Sequence, residues 1–271
     1  VHTLSLTLAT DIKTPRIFVW GMLNTRGIAL FGALWKFSHY ILSPIEVFDA
    51  PDARLTDKSY TTVALPSILI THFATYLGAF LASDPTTRQM AGHLWALFPL
   101  FIWLGRNVAV RFLMKPSTVS RDRLYNPTAD LTTIRRTVAV LVIISTIAWQ
   151  YTIWSGQSLS EIYIPALPIP HVNDLSLDAA YVEFLKWDTI FFALGNILWL
   201  WLLFWDLKAA GMVRTSWASL MACGLAVSVV GGTGSLLGLA WLYREETLVR
   251  KRHKDAVVPG NPAVKAPPLK S

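Results

Sequence analysis

Residues 184–211 read FLKWDTIFFALGNILWLWLLFWDLKAAG. The seventeen residues between Asp188 and Asp206 carry no charge. A bilayer's hydrocarbon core is ~30 Å thick and is crossed by about 20 apolar residues rising 1.5 Å each. This stretch is therefore read as a membrane helix over Asp188–Trp205, and comparable runs lie on either side of it. They predict helices at Gly27–Leu42, Tyr60–Ala82, His93–Met114, Arg136–Ser155 and Trp217–Tyr243. The fold class is then all-α, a polytopic transmembrane bundle of about six spans within residues 1–243. A basic, proline-rich tail over 244–271 is expected to be disordered. Gly231, Gly232, Gly234 and Gly238 read as small residues that let helices approach closely.

Composition points the same way. Hydrophobic residues make up 53% of the 271, charged residues only 15%, and mean hydropathy is +0.44. A water-facing globular domain carries about 25% charged residues. Disorder and a disulfide scaffold are both excluded, the latter by a single cysteine, Cys223, inside an apolar run. The chain opens at Val1 rather than Met, so the expectation is that processing or truncation removed a start. The net charge of +7 suits anionic lipid headgroups, and no motif for reading nucleic acid is present.

Lys36 and His39 interrupt the first segment, and Arg106 and Arg111 the third. Such groups are costly in lipid and must snorkel or line a polar cavity. The link Ile162–Asp178 holds three prolines and is expected to fold against one membrane face. Orientation meets a conflict. The positive-inside rule places both Lys115–Arg136 and the tail after Arg244 in the cytosol. Three predicted helices separate them, which puts them on opposite sides.

Several chemistries lack their residues. No HxxxH, HExxH, CxxC or phosphate-binding loop occurs, so no metal or cofactor is expected. Asn173, Asp174 and Asp178 form NDLSLD, one residue longer than the magnesium-diphosphate box of membrane prenyltransferases, and are read as loop residues. Acids and aromatics at the membrane remain. Asp188 and Asp206 are 18 residues apart, five helical turns or roughly 27 Å, so they share a face at opposite ends. Phe192, Gly195 and Trp199 fall close to that face. A carboxyl group beside apolar rings has its charged form disfavoured and suits a general acid, with Glu183 as a relay. Aromatic faces stabilise a developing cation. The structural alternatives are a helix-start role for Asp188, a Lys208 pair for Asp206, and a solvated link for Glu46 and Asp49.

The stretch HYILSPIEVFDAPDARLTDKSYTTVALPSILITHFATYLGAF, then LWALFPLFIW, then residues 184–211, resembles the fungal integral-membrane terpene cyclases. The likeness is nearest to members of ascochlorin/ascofuranone-type meroterpenoid pathways and covers about Phe31 to Gly211. It implies a metal-free cyclase that protonates a terminal epoxide or olefin of a prenylated substrate and closes rings through carbocations. The FLxxD and WDLK patterns match at Asp188 and Asp206. The candidate catalytic residues are thus Asp188, Asp206, Glu46 and Asp49. Trp187, Phe191, Phe192 and Trp199 are the candidates for holding substrate and cation. Expected partners are a lipophilic prenylated small molecule and membrane lipids, with the endoplasmic reticulum as the expected membrane. The rivals are a small transporter, using Lys36, Arg106 and Arg111 as a pathway, and a non-catalytic membrane scaffold.

Overall fold

A computed structural model describes residues 28–42, 58–113, 128, 130–167 and 176–250. Among them every regular element is helical. In chain order these are α1 (Ile28–Leu42), α2 (Lys58–Ile68), α3 (Ala74–Leu81), α4 (Pro85–Ala96), α5 (Phe98–Val108), α6 (Leu131–Trp154), α7 (Leu159–Tyr163), α8 (Leu177–Ala209) and α9 (Trp217–Arg250). Two π-helical turns, Leu69–Phe73 and Ala109–Leu113, join α2 to α3 and extend α5.

Four helices are long and apolar enough to cross a membrane: Thr61–Leu81, Leu131–Trp154, Leu177–Ala209 and Trp217–Arg250. Their outer faces carry exposed Ile147, Leu194, Leu198, Met221 and Val229. A protein in water does not leave so much apolar surface bare. Among the described residues, two of the six expected spans fall short. Helix α1 has 15 residues, about 22 Å. The run His93–Met114 is broken at Leu97 and divided between α4 and α5. Helix α4 starts where Asp84 caps it, accepting the Thr87 amide at 2.7 Å and the Thr87 hydroxyl at 2.9 Å. These bonds hold the Asp84 carboxyl below its ordinary range. Pro85 follows in the first turn, where a missing amide costs nothing.

Helix α8 begins at Leu177, eleven residues before Asp188. Ser176 caps it by accepting the Ala179 amide at 3.3 Å. The polar first turns over 177–186 were expected to belong to the link, but they are helical. The described parts of that link, up to Leu167, are tied to α8 where the Ala166 amide donates to Glu183 at 2.8 Å. At the far end of the chain α9 runs on to Arg250, past the expected boundary at Tyr243.

The largest departure lies inside α9. Gly232 has φ +75° and ψ 175°, a conformation essentially confined to glycine. The helix breaks there and its arms, 217–231 and 233–250, fold back on each other. A methyl on Gly224 would stand 3.5 Å from Leu236 Cδ1. Twelve residues of straight helix would hold those positions about 18 Å apart. Trp217 stacks on Trp201 at 4.3 Å and Tyr243 on Phe204 at 5.8 Å, so both ends of α9 reach one level of α8. The glycines are therefore a turn as well as a packing surface.

The hairpin also brings the start of α6 and the end of α9 to one side of the bundle. Both ends lie together, since Arg135 makes a two-pronged pair with Glu246, which also takes Arg250 at 3.0 Å. The core runs through the bundle, with Trp35 of α1, Ile68 of α2, Ile102 of α5, Val138 of α6, Trp199 of α8 and Trp241 of α9 in one buried cluster.

Candidate functional site

Helix α8 is long enough to present two different faces. One packs along α1, which runs in the same direction, because Ala29 meets Asp188 and Tyr40 meets Asp206. The shared face inferred from the 18-residue spacing is thus a real interface. The Asp188 carboxylate accepts the Ala29 amide at 2.9 Å, satisfying an N–H that the first turn of α1 leaves without a helical acceptor. Asp206 accepts the Tyr40 hydroxyl, also at 2.9 Å. The expected Asp206–Lys208 pair is not what holds Asp206, since Lys208 donates to the Thr215 carbonyl and lies over the Trp217 ring.

Between the two carboxylates the interface is apolar and aromatic, with polar groups set into it. Trp199 is buried in the core, 6.2 Å from Trp35. Phe192 lies under Lys36, whose Nζ stands 4.6 Å from the ring centroid. One face of that ring therefore already has a lysine over it. Trp187 and Phe191 stack on each other at 5.7 Å, and Phe191 is exposed on the outer face. Glu183 is engaged by Lys186 at 2.8 Å and by the Ala166 amide. Glu46 and Asp49 lie outside the described residues.

The opposite face of α8 meets the α9 hairpin around a cavity of about 500 Å³. Its lining includes Trp201, Phe204, Trp217, Met221, Leu236 and Tyr243. It suits an apolar chain, not a charged group.

Sequence reasoning missed two features. Asn196, next to Gly195 on α8, is buried, and only its mid-helix position in an apolar run signalled it. His72 sits in the π-helical turn before α3, among Phe73, Tyr76, Trp95 and Phe98. The Trp95 indole N–H donates to His72 Nδ1 at 3.2 Å, so the neutral ring carries its proton on Nε2. Among the described residues no three His, Cys, Asp or Glu side chains gather as metal ligands would.

Comparison with known proteins gives a family. A model of the CtvD domain matches residues 14–249. The chain is 46% identical over 241 residues to the FAD-dependent monooxygenase anuJ of Penicillium roqueforti, covering 89% of this chain and 29% of that protein. It is 34% identical over 254 residues to the FAD-dependent monooxygenase verC1 of Penicillium polonicum, covering 93% and 31%. A third relative, the FAD-dependent monooxygenase BOA8 of Botryotinia fuckeliana, is 26% identical over 227 residues. The chain spans about three tenths of the length of these relatives. None of the three names mentions a cyclase. No solved structure matches.

The flavin implied by those names was tested against the residues present. A dinucleotide is cradled by a glycine-rich turn between a strand and a helix. No strand occurs among the described residues. The glycine run 231–234 is packed shut, since a methyl on Gly232 would stand 3.0 Å from Trp149 and one on Gly234 would collide with Ser145. The described residues do not fit a flavin.

Proposed function

This chain belongs to the CtvD-domain family, and from that premise we propose that it is a membrane-embedded cyclase acting on an oxygenated, prenylated substrate. A carboxylic acid protonates the oxygen of an epoxide and the C–O bond breaks. This leaves an alcohol and an electron-poor carbon, which a neighbouring C=C of the prenyl chain attacks. That attack forms the C–C bond that closes the ring, and loss of a proton from the new cation to a carboxylate leaves an alkene, so product and substrate are isomers. No metal enters the step.

One observation carries this reading. The two carboxylates of α8 are both turned toward α1 and held there by its donors, Ala29 and Tyr40, at the ends of an interface that buries Trp35 and Trp199. Asp188 is assigned as the proton donor and Asp206 as the weaker second choice, because roughly 27 Å of helix keeps them from one reacting atom. The names of the longer relatives support it as well. A flavin monooxygenase places one oxygen atom in its substrate, and an epoxide is one product of that chemistry on an olefin. A segment unlike a flavin fold, found within such proteins, suits the step that consumes the epoxide.

The test is to incubate microsomes carrying the full chain with an epoxy-prenylated phenol. A cyclic isomer of unchanged mass is expected, formed equally well in EDTA and absent with control membranes. Unchanged epoxide, or turnover lost on chelation and restored by a divalent ion, would overturn the proposal.

A further inference from the structure

Two buried polar atoms, Lys36 Nζ of α1 and Asn196 Oδ1 of α8, have no hydrogen-bond partner among the described residues. Lys36 is 3% exposed and Asn196 7%. Burying such groups without partners costs free energy, and a fold keeps them where something else completes them. The Asn196 amide nitrogen is already used, donating to the Phe192 carbonyl at 2.9 Å, which fixes the carbonyl oxygen as the open end. Lys36 Nζ has only the Phe192 ring at 4.6 Å, an interaction that does not replace hydrogen bonds. Nζ stands 3.6 Å from where a side chain on Gly195, the residue before Asn196 on α8, would begin.

We propose that Lys36 and Asn196 together bind the polar head of a lipophilic ligand. The pair is complementary. Lysine donates and the amide oxygen accepts, so a ligand that offers an oxygen acceptor beside a hydroxyl donor completes both. A phenol or enol adjacent to a carbonyl is that chemical class. A phosphatidylcholine headgroup offers acceptors only and leaves Asn196 Oδ1 unsatisfied. The site lies seven to eight residues from Asp188 along α8, about 11 Å. A head anchored there leaves an attached chain long enough to reach the acid. Assignment of the ligand as substrate rests on the reading of the preceding section, whereas the binding site rests on the geometry alone.

The experiment uses the full chain in phosphatidylcholine nanodiscs. The probe is a long-chain 2,4-dihydroxyphenyl ketone, compared with an alkylbenzene of equal length. Wild type is expected to bind the ketone at least tenfold more tightly than the alkylbenzene and to unfold at a higher temperature with it. Lys36→Met and Asn196→Leu are each expected to lose that preference. Without probe they should unfold at or above the wild-type temperature, since an unsatisfied group is gone. Retained preference in either variant overturns the proposal. So does failure of Lys36→Met to fold, which would show that the nitrogen supports the structure. Displacement of the ketone by phosphatidic acid would make this a lipid site and overturn it too. Ring formation is scored separately. Head-selective binding without turnover leaves the site standing and sinks the cyclase, and turnover with unchanged preference in Lys36→Met does the reverse.

Discussion

The interface of α6 with the α9 hairpin and the interface of α1 with α8 are both buried helix–helix seams, yet they are built on opposite rules. The first is closed. Gly231, Gly232 and Gly234 bring backbones so near that a methyl on any of them would press on Thr146, Trp149 or Ser145. Its polar groups find one another, with Thr146 and Ser235 hydroxyls 2.9 Å apart. The break at Gly232 interrupts the helical ladder, and the carbonyls just before it receive side-chain donors from α6. Trp149 Nε1 donates to Val229 at 2.9 Å and Gln150 Nε2 to Val230 at 2.6 Å. Backbone groups freed at such a break require partners wherever water is excluded. The second seam is incomplete, holding two carboxylates at its ends and a buried lysine nitrogen and amide oxygen between them. The saturated seam holds the fold, and the incomplete one is where we propose that a ligand binds.

The comparison is broken most severely at the turn. Gly232→Val demands a conformation that a β-branched residue does not adopt and pushes a side chain into Trp149. Little folded protein should survive detergent extraction, as size-exclusion chromatography would show. A well-folded variant would mean that the hairpin tolerates another backbone. Next in size is Gln150→Leu, which leaves the Val230 carbonyl without its donor. A loss of about 1–3 kcal/mol is expected in reversible unfolding, with turnover per folded molecule unchanged. A fall in that specific turnover would show that chemistry reaches the closed seam. The smallest effect is at Tyr40→Phe, which removes one hydrogen bond to Asp206. About 0.5–1.5 kcal/mol of stability should go, with turnover kept within tenfold if Asp206 is not the proton donor. A larger kinetic loss would move that role toward Asp206.

The incomplete seam was the more legible of the two. Five turns of uninterrupted helix put Asp188, Phe192, Gly195, Trp199 and Asp206 on one face, and α1 packs along that face. The sequence did not reveal which neighbour would cover it, and Lys36 read as an interruption of α1 because its surroundings belong to another helix. The start of α8 was placed too late because Asp178, Glu183 and Lys186 break the apolar run that marks a span, although Ser176 caps a helix there. The α9 turn was hidden for a different reason. Four glycines in an apolar run suit close packing and a reversal equally well. What decides is the pair of donors on Trp149 and Gln150, about eighty residues away in the chain. The relation of Arg135 to Glu246 was likewise invisible until the hairpin brought those ends together.

The claim that the α1–α8 seam performs the chemistry is tested most directly by Asp188→Asn. Asparagine keeps the size of the side chain and an oxygen to accept the Ala29 amide, while removing the acid. Turnover of the epoxy-prenylated phenol should be measured per folded molecule in membranes, beside the unfolding temperature. General acid catalysis is worth about 10²–10⁴-fold, and a loss of that order with an unchanged unfolding temperature is expected. Near wild-type turnover in a normally folded Asp188→Asn protein would contradict the account.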